Sequence, residues 1–488
     1  MVLLAVLVLG TPLLVSAHSF SAAHFRRQDD PSNCISPDPQ NTLTDRMNVA
    51  LNSSGDGYVL SLCQNTDYII EAPINFAFPN QEISTAGYPT GAERATLIVN
   101  GPVFNGTGHT TAIQGSCETC SGIRIRNIQI NGTRGNAGPT GGGANIEIGG
   151  DNSDQLVEYV HSYDPRSWSC LHIFEGTLQC TSAVIRNNDI GPCGTDTYME
   201  WADGISVSCR NTTVTNNTIT GATDGGVVLF GAPGSLVQNN TIQALNNTQL
   251  GGVNMVDVQP WGGDYSGTVV QDNLIVGGLA DGPIDGVSAR TGSNANGVIL
   301  KVGIAVGPRS YFVDAFGQNV SASGTVLNNN FTGAFGYAMA VTSARNFTIQ
   351  GNSLWGNTTF ISEPSENCTV GLTIPTSASF VVASQNVTDS SIQSDFSTVD
   401  RADGLTCIEA PSSGALWPYD TIPPDTGSAS SSQTSQPAGS GGGGGGGLSG
   451  GAKAGIAVGV IVGVFVIAAS TWIIRRRALR RAATSGTY

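Results

Sequence analysis

The sequence predicts an all-β fold in which the chain winds into a parallel β-solenoid, and three observations predict it. Two neighbouring segments repeat an Asp-Gly step, at Asp203 and Asp224, each followed by a short apolar alternation. Both segments then reach an Asn-Asn-Thr-Ile step, at Asn216 and Asn239. A repeat of this length, made of β-branched runs and turn residues, is typical of successive solenoid coils. The third observation is composition, because 64 glycines and only 12% charged residues favour strands and tight turns over helices.

The apolar alternation continues along the chain and sets the register of the coils. In each core of the form apolar-x-apolar, the two flanking residues are expected to point inward and the middle residue outward. The seven cores are Ile146-Glu147-Ile148, Leu171-His172-Ile173, Ile205-Ser206-Val207, Val227-Val228-Leu229, Val253-Asn254-Met255, Ile304-Ala305-Val306 and Met339-Ala340-Val341. In this register, Asp203 is predicted to lie almost directly beneath Asp224.

A second short strand follows each core and carries an asparagine step. Asparagine tolerates left-handed backbone angles and can ladder its amide with the next coil, so a stack of asparagines at one corner is expected. The asparagines are Asn188, Asn217, Asn240, Asn273, Asn330 and Asn352.

Where the repeat is longer, loops interrupt it, and these are predicted to build one wall of a groove. The loops are Gly132–Gly143, Gly191–Trp201, Trp261–Ser266 and Ala280–Gly303.

The two ends of the chain predict a single-pass membrane protein with its bulk outside the cell. An apolar run and a small-residue site end at Ala17, as in a secretory signal. The uncharged stretch 454–474 is long enough to span a bilayer, and the arginines that follow it place the C-terminus in the cytoplasm. The predicted ranges are 1–17 signal peptide, 28–100 N-terminal cap and first strands, 101–410 parallel β-helix, 411–453 Pro/Ser/Gly-rich linker, 454–474 transmembrane helix and 475–488 basic cytoplasmic tail.

The part expected outside the cell is strongly acidic. Of the 21 basic residues, five lie in the tail, two at Arg26-Arg27 and one at Lys453, which leaves 13 against 36 acidic residues. Nucleic acid is therefore excluded as a partner, because neutralising phosphates needs clustered Lys and Arg.

All ten cysteines lie in the part expected outside the cell and are expected to form disulfides, including the Cys117-x-x-Cys120 pair. Frequent Asn-x-Ser/Thr sequons predict a glycoprotein.

Five segments resemble the right-handed parallel β-helix proteins of the pectin-lyase-like superfamily, of the type found on fungal surfaces and anchored in the membrane. They are Ser167–His172, Asn187–Cys193, Trp201–Ser206, Thr223–Gly231 and Gly251–Asp257. The resemblance covers roughly residues 55–390 and implies a right-handed parallel β-helix ectodomain with one C-terminal transmembrane helix. It also implies action on a polysaccharide or cell-wall glycan, although this fold hosts hydrolases, lyases, epimerases and adhesins.

Within that superfamily the polygalacturonases are the obvious comparison. Asp203-Gly204 and Asp224 match two of their catalytic features in type and spacing. The neighbours depart, because Ala202 precedes Asp203, Gly225 follows Asp224, and no Arg-x-Lys step occurs in the chain. The resemblance therefore carries over only the two aspartates.

The register predicts a groove in which several polar side chains converge. Asp203 and Asp224 are the candidate acid/base pair of glycoside hydrolysis, because neighbouring carboxylates split their pKa values. His172 is a third candidate catalytic residue, tuning or relaying a proton. The candidate substrate-binding residues are Arg166, Asp164 and Glu147. No cofactor and no metal are expected.

Alternatives to this hypothesis remain open. A lyase or epimerase would use His172 as base and Arg166 to neutralise a sugar carboxylate. Both aspartates could instead bond backbone amides at turns, since Asp-Gly is a common turn dipeptide, and His172 could be a partly buried strand residue. In that case the chain would be a non-catalytic glycan-binding or structural surface protein.

Overall fold

The computed structural model describes residues 34–278, 298–365 and 372–411. Within these ranges no helix is long and apolar enough to cross a membrane. The predicted signal peptide, the predicted transmembrane helix and the tail lie outside the described residues, and so does the linker beyond Pro411.

The described chain winds through three parallel stacks of strands, which we call sheets 1, 2 and 3, and each complete coil adds one strand to each of them. Sheet 1 contains Val59–Leu62, Glu82–Thr85, Arg124–Arg126, Leu156–Glu158, Val184–Arg186, Thr213–Thr215, Leu236–Gln238, Val269–Gln271, Thr325–Leu327, Thr348–Gln350 and Ser391–Ile392. Sheet 2 contains Asp67–Ile70, Ala95–Val99, Ile128–Asn131, His161–Tyr163, Asp189–Ile190, Thr218–Thr220, Thr241–Gln243, Leu274–Val276 and Ser353–Phe360. Sheet 3 contains Ile74–Asn75, Ile113–Gly115, Ile146–Gly149, Ser169–Phe174, Asp203–Val207, Gly225–Leu229, Gln249–Met255, Leu300–Val306, Ala378–Val382 and Ser397–Thr398. The long strand Asn330–Val341 belongs to sheets 2 and 3 and joins them. The fold is therefore a parallel β-helix.

The remaining elements cover the N-terminal end of this β-helix or lie in the connections between its strands. The helix Leu43–Ser54 buries Leu43, Met47 and Leu51 against the first coils, so that it covers the open N-terminal end of the core. The other helices are Gln40–Thr42, Arg309–Phe312 and Ser384–Asn386. The other strands are Val103–Phe104, Thr107–Gly108, Ser321–Ala322, Ala344–Arg345, Glu363–Pro364, Val387–Thr388 and Ile408–Glu409.

The seven predicted cores stack in register on sheet 3, as the alternation predicted. Their flanking residues pair along the β-helix and are buried, beginning with Ile146, Leu171 and Ile205. Their middle residues stack with one another on the outer surface of sheet 3, a line that we call the outer row. It consists of Glu147, His172, Ser206, Val228, Asn254, Ala305 and Ala340.

The predicted stacking of the two aspartates is wrong by one residue. Ile205 pairs with Val227, two residues after Asp203 but three residues after Asp224. As a result the amide of Asp224 donates to the carbonyl of Ala202, at 3.1 Å, and Asp203 lies beneath Gly225. The two carboxylates are diagonal neighbours on adjacent coils.

A ladder of asparagines runs inside the corner between sheets 1 and 2. Each side-chain amide donates to the side-chain oxygen of the next rung, at 2.9 Å from Asn188 to Asn217 and 3.0 Å from Asn240 to Asn273. The rungs are Asn188, Asn217, Asn240, Asn273, Asn329 and Asn352, and Gln393 ends the ladder. The ladder predicted from sequence is confirmed, except that Asn329 rather than Asn330 is the rung.

In each Asn-Asn step, the first asparagine adopts the left-handed turn conformation and the second forms the rung of the ladder. Asn216 and Asn239 have φ values of 56° and 55° and are exposed, whereas their neighbours Asn217 and Asn240 are buried rungs. In these two sequons the acceptor asparagine is therefore the exposed member, and the ladder is left intact.

Four disulfides join described cysteines, as the even cysteine count predicted. They are Cys34–Cys63, Cys117–Cys120, Cys170–Cys193 and Cys180–Cys209. The Cys117-x-x-Cys120 pair thus forms a disulfide, as the sequence predicted.

The intruding loops lie on two sides of sheet 3, so the prediction that they form one wall is wrong. Gly132–Gly143 and Gly191–Trp201 follow sheet 2 strands and precede sheet 3 strands, and a hydrogen bond of 2.7 Å from Arg134 to the carbonyl of Glu200 joins them. Trp261–Ser266 instead leaves sheet 3 for sheet 1, where Trp261 donates to the carbonyl of Ser208 at 2.7 Å. Most of Ala280–Gly303 lies outside the described residues.

Candidate active site

Asp203 begins a strand of sheet 3 and is held in place by two donors. Its Oδ2 accepts the hydroxyl of Ser206 at 2.8 Å, and its Oδ1 accepts the backbone amide of Gly225 at 3.2 Å. The Ser206 hydroxyl lies 2.9 Å from that of Ser169, one coil away. Only 5% of Asp203 is exposed. Burial and the neighbouring Asp224 charge raise the pKa of Asp203 well above its ordinary value, so the protonated form of this carboxyl is favoured.

Asp224 lies beside Asp203 in a different environment. It is partly exposed, and its carboxylate accepts no hydrogen bond from the described residues. Burial raises its pKa from 3.8 to about 6, so that it is ionised at neutral pH. Two neighbouring carboxyl groups thus stand in different surroundings and both have raised pKa values, an arrangement in which one can keep a proton while the other ionises, as general acid and general base catalysis requires.

A third carboxylate, Asp257, follows the next strand of sheet 3. Burial, with the charge of Asp224 acting on it, raises the pKa of Asp257 to about 8. The charge of Asp257 also contributes to the raised pKa of Asp203. Within the described ranges no Lys, Arg or His contributes to any of these three shifts. The described residues contain no group of three side chains arranged to hold a metal ion.

Tyr311 and Asn254 complete the surroundings of the acids. The Tyr311 hydroxyl donates to Asn254 Oδ1 at 2.9 Å, and burial and the charge of Asp224 raise the pKa of Tyr311. Two glycines make room for these side chains, because a Cβ on Gly251 would stand 2.0 Å from the Tyr311 hydroxyl, and one on Gly225 would stand 2.6 Å from Asn254 Nδ2. The packing of Asn254 and Tyr311 beside Asp203 thus depends on glycine at both positions.

The short helix that carries Tyr311 is fixed by an ion pair. Arg309 donates through two nitrogens to both carboxylate oxygens of Asp403, with Nε at 2.9 Å from Oδ1. Lys301 Nζ donates to the carbonyl of Thr406 at 2.8 Å. Both contacts hold residues 403–406 against the later coils. Arg309 and Lys301 therefore have structural roles.

His172 and Glu147 lie on the outer row next to Ser206, as the register predicted. His172 Nδ1 is 2.9 Å from Glu147 Oε2, and Glu147 Oε1 accepts the amide of Ala144 at 2.7 Å. The ring of Trp168 meets the His172 ring edge-on at 4.8 Å between centroids. His172 is therefore one coil away from Ser206, the hydroxyl that bonds Asp203.

The structure gives Asp164 and Arg166 contacts that hold loops. Asp164 accepts the amide of Gly135 with both carboxylate oxygens, each at 3.0 Å. Arg166 donates to the carbonyls of Gly101 and His109 at 2.8 and 3.1 Å, and to Thr133 Oγ1 at 3.0 Å. No described contact joins either side chain to Asp203 or Asp224, and a substrate-binding role for them stays a prediction.

Sequence reasoning missed three members of the site: Asp257, Asn254 and Tyr311. Asn254 carried a signal, because it is a polar residue in the middle of an apolar core and next to Gly251-Gly252. Asp257 carried no signal of its own, because it lies after the apolar core of its coil and outside the repeated pattern. Tyr311 carried no signal, because it reaches the site from a connection between sheet 3 and sheet 1 of a later coil.

Comparison with known proteins gives alignments to solved structures alone. No protein-family model and no curated protein matches the chain. An alginate lyase from Paenibacillus sp. str. FPU-7 aligns at 15% identity and a TM-score of 0.43, covering 64% of this chain and 95% of that chain. The A-module of a mannuronan C-5 epimerase from Azotobacter vinelandii aligns at 14% identity and a TM-score of 0.45, covering 74% and 93%. DFA-IIIase from Arthrobacter chlorophenolicus A6 aligns at 13% and 0.45, covering 77% and 96%. These similarities are too low to carry an inference about chemistry.

Proposed function

We propose that the chain hydrolyses glycosidic bonds of a polysaccharide, with Asp203 as general acid and Asp224 as general base. One observation carries this proposal: two neighbouring carboxyl groups on adjacent coils stand in different environments, and the pKa of each is raised. Asp203 is enclosed and bonded by Ser206 and Gly225, whereas Asp224 is partly exposed and unbonded within the described residues. A turn role would explain the hydrogen bonds that Asp203 accepts. The Asp224 carboxylate accepts none from the described residues, so a turn role does not explain its position.

The proposed reaction needs both groups at once. Asp203 gives its proton to the glycosidic oxygen as the bond from that oxygen to the anomeric carbon breaks. Asp224 takes a proton from a water molecule, whose oxygen forms the new bond to the anomeric carbon. Proton loss and gain balance between the two carboxyl groups, and exchange with solvent restores them. In this proposal His172, bonded to Glu147, stands one coil from Ser206 and tunes or relays a proton.

The lyase and epimerase alternatives need a cation, and Arg166, the one suggested for that role, is bonded to other groups in the described part of the chain. Both reactions remove a proton next to a sugar carboxylate, and a positive group has to neutralise that carboxylate. Arg166, the candidate for this role, donates three hydrogen bonds to Gly101, His109 and Thr133. Hydrolysis by paired carboxylates therefore has the stronger support.

The two pKa values lead to a pH prediction for kcat/KM. Activity should rise as pH increases through about 6, because Asp224 must lose its proton to act as base. It should fall again at higher pH as Asp203 ionises. Asp257→Asn removes a negative charge that raises the pKa of Asp203, so it should move the upper limb to lower pH and leave the lower limb in place. A profile that is flat between pH 4 and 9 would contradict the assignment of both aspartates.

A surface location is part of the same proposal. The uncharged stretch 454–474 with arginines after it supports a protein anchored in the plasma membrane, with residues 28–411 facing outward. Protease treatment of intact cells tests this, because an antibody to the C-terminal tail should then detect only a small fragment. Full-length protein that survives in intact cells but not in lysed cells would contradict it.

The experiment for the proposed reaction is an incubation of the purified protein with wall polysaccharides. New reducing ends without an unsaturated product absorbing in the ultraviolet are expected from the wild type. Asp203→Asn should lower their release by roughly 10³-fold. Unsaturated product would indicate a lyase instead. Retention of glycan without any product would indicate a binding protein.

A further inference from the structure

The outer row continues towards the N-terminus with two further polar residues, Gln114 and Asn75. Asn75 is exposed and Gln114 is half-buried. Further along the row, His172 is 8% exposed and Ser206 is 0% exposed. The outer row is thus open to solvent on the first coils and becomes enclosed where it approaches Asp203.

On the later coils a second apolar cluster covers the outer surface of sheet 3. It is separate from the core inside the β-helix, and it includes the outer-row residues Ala305 and Ala340, both 0% exposed. The side chains that pack with them come from the short helix Arg309–Phe312 and from residues 402–408, which we together call the cover. The buried members of the cluster are Val256, Val302, Ala305, Tyr337, Ala340, Val381, Ala383, Ala402, Leu405 and Ile408.

The two parts of the cover are joined to each other. The amide of Leu405 donates to the carbonyl of Ser310 at 2.7 Å, and Arg309 pairs with Asp403. Burial of the apolar cluster holds both parts against sheet 3. The cover is therefore a fixed part of the described structure.

The edge of the cover lies one coil beyond Asp224. The Tyr311 hydroxyl donates to Asn254 at 2.9 Å, and a Cβ on Gly251 would stand 2.0 Å from that hydroxyl, so no space remains between Tyr311 and sheet 3. Gly251 pairs with Gly225, the residue after Asp224. Neighbouring strands are about 4.8 Å apart, close to the length of one sugar residue, so a glycan along the row has room for about one sugar between Asp224 and Tyr311.

The open part of the row suits a glycan chain. Its side chains offer donors and acceptors of hydrogen bonds to sugar hydroxyls. Trp168 is half-buried, and its ring lies beside that of His172 at 4.8 Å between centroids, where it adds an apolar surface for a sugar ring. The polar residues of this part are Asn75, Gln114, Glu147 and His172.

We propose that the outer row binds a polysaccharide by one chain end, which enters from the side of Asn75 and stops at Tyr311. The consequence for catalysis rests on the proposed hydrolysis by Asp203 and Asp224. Because the cover leaves little room beyond these acids, cleavage releases a short saccharide from the chain end and does not cut within the chain.

Binding stoichiometry tests the chain-end mode without turnover. The Asp224→Asn variant of the full chain is titrated by calorimetry with short-chain and long-chain fractions of each wall polysaccharide that it retains. One protein molecule per glycan chain is expected in both fractions, because each chain offers one suitable end. A number of bound molecules that grows with chain length would overturn the inference, and so would retention of no glycan.

An aromatic pair of variants tests the position of the glycan on the row. In the Asp224→Asn background, Trp168→Ala should weaken binding about tenfold. Tyr159→Ala, on the corner between sheets 1 and 2, is the matched control and should not change binding. Equal affinities of the two variants would show that the glycan does not follow the outer row and would overturn the inference.

Product length tests the same inference with the active chain. The wild type should release short saccharides with little loss of viscosity. Tyr311→Ala removes the edge of the cover, so viscosity should fall faster for each new reducing end. Arg309→Gln, which releases the cover from Asp403, should act in the same direction and serves if Tyr311→Ala does not fold.

The outcomes separate the inference from the proposed reaction. Early viscosity loss with the wild type, or short products that persist in both cover variants, would overturn the inference and leave hydrolysis standing. Binding of one protein per chain without any reducing ends would overturn hydrolysis and support the inference.

Discussion

Asp224→Asn should lower glycan hydrolysis by roughly 10³-fold while making the folded chain more stable at pH 8. The loss of activity follows because the amide cannot accept a proton from water. The gain in stability follows from the raised pKa of Asp224, about 6 against an ordinary value of 3.8. The folded state binds this proton more tightly than the unfolded state, so the contribution of Asp224 to stability is fully present below about pH 4 and is lost as pH rises through about 6.

The size of that gain can be bounded. A difference of about two pKa units corresponds to about 3 kcal/mol of unfavourable ionisation in the folded state. Asn carries no charge, so the variant should recover much of this at pH 8 and nothing at pH 4. Urea unfolding of wild type and variant at both pH values measures it.

Asp272→Asn is the matched control for this variant. Asp272 is exposed, adopts a left-handed φ of 54° and accepts a hydrogen bond from Gln238, as a turn aspartate does. The control should leave both activity and its pH dependence unchanged. If Asp224→Asn keeps its activity and loses stability, Asp224 is a turn residue and the catalytic assignment fails.

The contrast between the two aspartates shows what the Asp-Gly steps contribute. Both aspartates precede a glycine in sequence, and only Asp203 bonds a backbone amide, that of Gly225. Turn chemistry and catalytic chemistry are thus compatible in Asp203, because the same hydrogen bonds that hold it also orient it. Asp224 has no such hydrogen bond among the described residues. Its position beside another acid raises its pKa and destabilises its charged form, and no described contact compensates for this cost.

The fold was predictable from sequence because a β-helix repeats one local rule. Alternation fixes which residues face inward, and each apolar core can stack only on the next, so cores such as Ile205-Ser206-Val207 were placed in register. The error of one residue at Asp224 arose outside that rule. The Asp203 coil has one residue, Gly204, between the aspartate and its core, and the next coil has two, Gly225 and Gly226.

The site was less predictable because its members come from different coils and connections. His172 and Glu147 were placed correctly because they occupy the middle of cores. Tyr311 lies in a short helix outside the repeat, and alternation says nothing about where such a segment folds back. The contacts of Arg166 could not be predicted for the same reason, since its partners Gly101 and His109 are loop residues more than 50 positions away.

Asn240→Ala should destabilise the chain by about 3 kcal/mol, because it breaks the asparagine ladder in the middle. The Asn240 side chain accepts from the backbone and side-chain amides of Asn217, and it donates to Asn273 and to the carbonyl of Val214. Alanine leaves these buried groups without their partners and opens no path for water to replace them. Urea unfolding at constant pH measures the loss.

Asn239→Gly is the control for the ladder, because it changes the neighbouring asparagine without touching a rung. Asn239 has a φ of 55°, which glycine adopts freely, so the cost should stay below about 0.5 kcal/mol. Stability in a solenoid is shared between neighbouring coils, so loss of one rung should lower the midpoint of the whole transition and not detach one coil. Equal destabilisation by the two variants would show that the ladder amides contribute no more than an exposed turn residue does.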